Sequence, residues 1–149
     1  MPRITIDLPA RFAFTTEIAI YINHVNYRRH LDNSSLLSLV AEANERFFAH
    51  LGYPGMDVEG CGVVYADGAV QFRSEAFHRE LLVIELACGD FSRVGCDLVY
   101  RVSEKTTGRE VARGKTGIVF FDYEARKATA IPPGFLAKVT DDPVAGGVR

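Results

Sequence analysis

A chain of 149 residues, 48% hydrophobic and 24% charged, has the composition of a globular protein and is long enough to bury one core without disulfide or metal staples. Its formal net charge of -2, with no basic run, argues against a nucleic-acid surface. No apolar stretch approaches the roughly 20 residues of a bilayer span, and Met1-Pro2-Arg3-Ile4-Thr5-Ile6-Asp7 lacks the apolar core of a secretion signal, so one cytoplasmic domain over residues 1–149 is expected.

At the start, Ile4, Ile6 and Leu8 alternate with Thr5 and Asp7, and Pro9 ends the run, as in a short edge strand. Residues 12–22 read as a stronger strand, with Phe12, Phe14, Ile18, Ile20 and Ile22 marking one face. A polar connection follows, Asn26-Tyr27-Arg28-Arg29-His30-Leu31-Asp32-Asn33-Ser34-Ser35. Asp32, Asn33 and Ser34 are all good helix caps, and the cap is placed at Asn33, within a residue. The helix that it opens carries Leu36, Val40, Ala43, Phe47 and Leu51 on one stripe, widened by Leu37, Leu39 and Phe48. Ser38, Glu42, Glu45 and Ala49 lie opposite, and Gly52 with Pro54-Gly55 stops the helix.

Beyond Gly60 the pattern is mostly strand. Residues 63–74 read as one strand, with a bulge or bend suggested at Gly62 and at Asp67-Gly68. Strands over 81–88, 94–103 and 110–122 follow, with a turn at Glu104-Lys105-Thr106-Thr107-Gly108 and a short extension within 125–130. Pro132-Pro133-Gly134 closes the ordered part, about residues 3–136, and residues 141–149 read as a loose tail. The order is strand, long helix, then four long strands joined as a meander. A helix with so broad an apolar face needs cover, and a curved antiparallel sheet wrapped around it provides that cover in an α+β domain.

The chemistry-bearing residues have local readings of their own. Three cysteines, Cys61, Cys88 and Cys96, are odd in number and form no CxxC pair, so they read as buried thiols rather than as a disulfide framework or zinc site. No His, Asp or Glu cluster has metal-ligand spacing, and no GxSxG elbow is present. Glu42 is either a surface partner of Arg46 at i+4 or a carboxylate base. Asn26 either satisfies turn backbone or orients a reactant through its amide. His30 is a loop hydrogen-bonder, a carbonyl ligand or a base. Asn33 is a cap, or the residue whose N–H marks the positive end of the helix.

The stretch from Asn26 to Asn33, Glu42-Ala43 on the helix, Gly52-Tyr53, Val70-Gln71-Phe72-Arg73-Ser74-Glu75-Ala76 and the ending Val119-Phe120-Phe121-Asp122 before Pro132-Pro133 resemble one known group. Over about residues 12–135 the chain is similar to acyl-CoA thioesterases of the hydroxybenzoyl-CoA thioesterase-like group, which have the hot-dog fold. That resemblance implies hydrolysis of an acyl-CoA to free acid and coenzyme A, with no cofactor beyond the coenzyme A of the substrate. It implies a homo-oligomer, dimer or tetramer, with sites between subunits. It also implies roles: the N–H near Asn33 polarises the carbonyl, Glu42 acts as base or nucleophile, and Asn26 and His30 position the reactants. Arg73, Arg79, Arg113 and Lys115 would hold the nucleotide end. Many members carry an aspartate where this chain has Asn26, so a non-catalytic acyl-CoA-binding or assembly role is the rival expectation. A hot-dog dehydratase ranks last, because nothing here reads as Asn-Pro-x-His.

Overall fold

The computed structural model describes residues 3–140. Its centre is the long helix, α1 (Asn33–His50), whose apolar stripe has the sheet as its cover. The sheet contains β1 (Phe14–Ala19), β2 (Gly62–Phe72), β3 (Leu81–Gly89), β4 (Gly95–Glu104) and β5 (Glu110–Asp122), with a two-residue β6 (Lys127–Ala128) on β5. All neighbours are antiparallel, in the order β1-β3-β4-β5-β2. Leu82, Ile84 and Leu86 of β3 and Leu98, Tyr100 and Val102 of β4 alternate inward with the period of two that a strand imposes. They meet Leu36, Leu39, Val40, Ala43, Phe47 and Phe48 of α1 in one buried cluster. Each such fully buried side chain contributes about 1.5–3 kcal/mol relative to exposure, so this two-layer contact is the main source of stability. The expected α+β architecture is therefore present.

Several details differ from the sequence reading, each for a physical reason. Residues 3–8 form no strand: the Ile6 N–H donates to the Gln71 side-chain oxygen (2.9 Å), and Arg113 donates to the Ile6 carbonyl (3.3 Å), so side chains replace a ladder. β1 stops at Ala19 because its partner β3 begins at Leu81, directly opposite. The chain then enters a short 3-10 turn at Ile22–His24, and Ile22 is left exposed. Leu37 points away from the core and is exposed, whereas Asn44 is buried, its Nδ2 donating to the Tyr65 hydroxyl at 3.1 Å.

The meander holds only for β3, β4 and β5. β2 lies at the far edge against β5, from Gly62 opposite Phe121 to Phe72 opposite Ala112, and the segment 73–80 carries the chain back across to β3. The bulge falls where Asp67-Gly68 suggested it, with the register shifting between Tyr65 and Asp67. Pro133 opens a second helix, α2 (Pro133–Thr140), instead of closing the ordered part. Proline suits a first helical position, where no intrahelical N–H bond is lost. Phe135 of α2 is fully buried, stacked on Phe48 (5.6 Å between centroids) and edge-on to Phe120 (5.0 Å). The tail expected over 141–149 lies outside the described residues. Cys88 and Cys96 are buried in the core, Cys61 is half-buried, and none of the three is in a disulfide.

Candidate active site

The start of α1 is built by its cap. Asp32, with φ -74 and ψ 147, is the N-cap, one residue before the expected position. Its Oδ2 accepts from the Ser34 N–H (3.0 Å) and the Ser34 hydroxyl (2.5 Å), a reach that a side chain at position 33 does not have. These Ser34 bonds, the hydroxyl foremost, hold the Asp32 carboxyl below the usual carboxylate range. Asn33 is therefore the first helical residue. Its N–H has no intrahelical acceptor, as at any helix start, and no acceptor among the described residues either.

The connection before the cap is a closed loop. Val25 and Leu31 bridge across it, the Asn26 N–H donates to the His30 carbonyl (3.0 Å), and the Arg29 N–H donates to the Asn26 carbonyl (2.9 Å). The Asn26 side-chain oxygen accepts from the Arg28 N–H at 3.0 Å, so that oxygen serves its own turn. Arg29 sits in the left-handed region (φ 72) that tightens this loop. The loop's outgoing end docks on the β2–β3 connection: the Leu31 N–H donates to the Ala76 carbonyl (2.8 Å), and His30 bridges Phe77. That connection is itself anchored, because the N–H groups of Arg73 (2.8 Å) and Ser74 (3.2 Å) both donate to the Val111 carbonyl.

Between the two lies a cleft of about 280 Å³. Leu31, Leu36, Phe72, Ala76 and Val111 give it apolar walls, and His30, Asp32, Asn33, Arg73, Ser74 and Glu75 supply its polar groups. The His30 side chain is 27% exposed, with Nε2 3.1 Å from Glu75 Oε2, and its ring meets Phe77 edge-on at 6.3 Å. An unpaired helix-start N–H beside an imidazole in a largely apolar cleft can polarise a carbonyl and accept a proton.

Of the residues singled out in the sequence, His30, Asn33 and Arg73 line this cleft. Glu42 does not: it lies on the outer side of α1, paired with Arg46 Nε at 2.8 Å, while Arg46 also donates to Thr16 Oγ1 (2.8 Å) and the Glu17 carbonyl (2.9 Å). Arg113 is held by Glu110 (2.7 Å), and Lys115 by Asp97 (2.9 Å) beside a separate cavity of about 440 Å³ under residues 5–9. Arg79 is exposed, its N–H donating to the Ile20 carbonyl (2.9 Å). Glu75 is a site residue that the sequence did not single out for a role. It lies 45 positions from His30 in a segment without helical or strand period, so no spacing rule connects them. Among the described residues no group of His, Cys, Asp or Glu could hold a metal ion, and no helix is long and apolar enough to cross a membrane.

A sequence model of the thioesterase-like superfamily matches residues 20–139. A comparison with curated proteins found no match. Among solved structures, a 1,4-dihydroxy-2-naphthoyl-CoA thioesterase from Synechocystis superposes with TM-score 0.79 at 18% identity, covering 86% of this chain and 96% of that one. The 4-hydroxybenzoyl-CoA thioesterase from Pseudomonas sp. strain CBS-3 gives TM-score 0.73 at 21% identity, covering 83% and 96%. A hypothetical Staphylococcus aureus protein in complex with CoA gives 0.79 at 11% identity, covering 97% and 90%. At identities this low the likeness speaks for the fold: a hot-dog fold, with its curled antiparallel sheet around a central helix.

Proposed function

The chain belongs to the thioesterase-like superfamily, and from that premise we propose that it hydrolyses an acyl-CoA thioester to the free acid and coenzyme A. The observation that carries this reading is the cleft at the start of α1, where the unpaired Asn33 N–H and the His30 imidazole share one space. The thioester carbonyl oxygen sits at the Asn33 N–H, aided by the positive end of the helix dipole. His30 takes the proton of the attacking water as general base. Collapse of the tetrahedral intermediate breaks the C–S bond, and the imidazolium returns the proton to the departing thiolate. Arg73 at the rim is the candidate contact for the phosphates of the coenzyme.

A homodimer is part of the proposal. β2 is an edge strand with β5 as its ladder partner, and its Tyr65 and Phe72 are 46% and 53% exposed, a surface that a second copy would cover. That same arrangement supports a second reading for the base. Glu42, on the exposed side of α1, would enter the cleft of a neighbouring copy as base or nucleophile.

The test is coenzyme A release from a panel of acyl-CoA substrates by wild type, His30→Ala and Glu42→Ala. Loss of roughly 100-fold or more in His30→Ala is expected, within the range a general base supplies. A comparable loss in Glu42→Ala with wild-type rates in His30→Ala selects the second reading. Absence of turnover across the panel refutes the enzyme and favours the non-catalytic binding role.

A further inference from the structure

We infer that the acyl group this cleft takes is a compact hydrocarbon, of about seven carbons or fewer and without hydroxyl or charged substituents. The inference rests on the thioesterase reading, which puts the thioester carbonyl at the Asn33 N–H. With the carbonyl there and the coenzyme leaving past Arg73, which is exposed, the space left for the acyl group is the floor of the cleft. That floor is apolar: Leu36, Ala76 and Val111 are 1%, 1% and 3% exposed.

The polar groups of the cleft stand elsewhere or are already bonded. His30, Asp32 and Asn33 gather at the helix start, around the reacting carbonyl, and Arg73 and Glu75 are exposed. The Ser74 hydroxyl donates to the Glu110 carbonyl (2.7 Å). The backbone around the floor is bonded too: the Val111 carbonyl accepts from the Arg73 and Ser74 N–H groups, and the Ala76 carbonyl from the Leu31 N–H (2.8 Å). A hydroxyl or carboxylate carried down to the floor therefore gives up its water with no partner in exchange, the costly case for a buried polar group. The volume sets the size. At roughly 30 Å³ for each water-sized group, a cleft of about 280 Å³ has room for about nine. The thioester oxygen and sulfur occupy two of these places, which leaves about seven for carbon, the carbonyl carbon included.

The experiment measures kcat/KM on benzoyl-CoA against 4-hydroxybenzoyl-CoA, on butanoyl-CoA against succinyl-CoA, and on a straight-chain series. The unsubstituted member of each pair should be favoured by roughly ten- to a hundredfold. Along the series kcat/KM should rise by up to about fourfold per methylene and level off near seven carbons. Val111→Ala widens the floor and should move that plateau to longer chains. Equal or better turnover of the hydroxylated or carboxylated member overturns the inference and leaves the thioesterase reading intact, as does a rise that continues past about ten carbons. Equilibrium binding of the inert thioethers S-benzyl-CoA and S-(4-hydroxybenzyl)-CoA reads the same preference without hydrolysis, and the hydroxylated one should bind roughly tenfold more weakly. A protein that turns over no acyl-CoA refutes the thioesterase reading; the thioether ratio still decides what the floor accepts, and equal affinities overturn the inference.

Discussion

Replacing Asn33 with proline should remove one N–H and almost nothing else. Asn33 is the first residue of α1, a position where proline is favoured because its fixed φ suits the helix and its missing N–H has no intrahelical acceptor. The residue before it is already compatible: Asp32 has φ -74 and ψ 147, within the extended region that a following proline requires. The cap also survives, since Asp32 reaches Ser34 rather than Asn33. Stability should therefore move by no more than about 1 kcal/mol, the scale of a compatible proline substitution. Catalysis should fall much further. Removing one oxyanion donor costs on the order of 10²–10³ in kcat, about 2.7–4 kcal/mol, and the remaining helix dipole argues for the lower end. Asn33→Ala is the control, because it deletes the side chain and keeps the N–H; its kcat should stay within a few-fold of wild type. The assay is thiol release followed with a chromogenic disulfide, with thermal melts to verify folding. A folded Asn33→Pro protein with wild-type kcat would refute the assignment of this N–H as the oxyanion donor.

Two further predictions concern stability. Phe135→Ala empties a fully buried site packed on Phe48 and Phe120, so it should cost about 3–5 kcal/mol, or roughly 2 M in urea midpoint at a slope near 2 kcal/mol/M, measured at matched protein concentration. A loss under about 1 kcal/mol would mean that α2 is not part of the core. Glu104 accepts from the N–H groups of Thr106 (2.9 Å) and Thr107 (2.8 Å) and from the Thr107 hydroxyl (2.7 Å), bonds that hold its carboxyl at about 2 against an ordinary 4.5, the Thr106 N–H contributing most. A depressed folded value means stabilisation that is complete above 4.5 and lost as pH falls toward 2. The melting-temperature gap between wild type and Glu104→Gln should accordingly narrow on acidification through that window, and a gap independent of pH contradicts the assignment.

Much of the site's local construction was legible in the sequence. Three good caps in a row marked the start of α1, and the cap fell on the first of them because its oxygen must reach two residues onward. The i+4 spacing of Glu42 and Arg46 foretold their ion pair, and the turn reading of Asn26 foretold where its amide oxygen goes. What the residues could not announce is which of them meet. Arg73 and Lys115 read alike as late-strand cations, yet Arg73 faces the cleft while Lys115 is held by Asp97 beside another cavity. Leu37 and Asn44 exchanged the burial that their polarity suggests, since rotation about a helix axis is set by the whole packed face and not by one side chain.

By itself, then, the sequence determined α1, the strands from β1 to β5 and most of the face that each buries, because these follow from periodicity within a few residues. The stripe from Leu36 to Phe47 was sufficient to require cover over α1. Tertiary structure alone decided that β2 pairs with β5 instead of β3, that α2 closes the core through Phe135, and that Glu75 comes within 3.1 Å of His30. Periodicity states that a face must be covered but not by what. Pairings across tens of residues are selected only when all the apolar faces are buried at once, and the cleft at the start of α1 is a product of that joint selection.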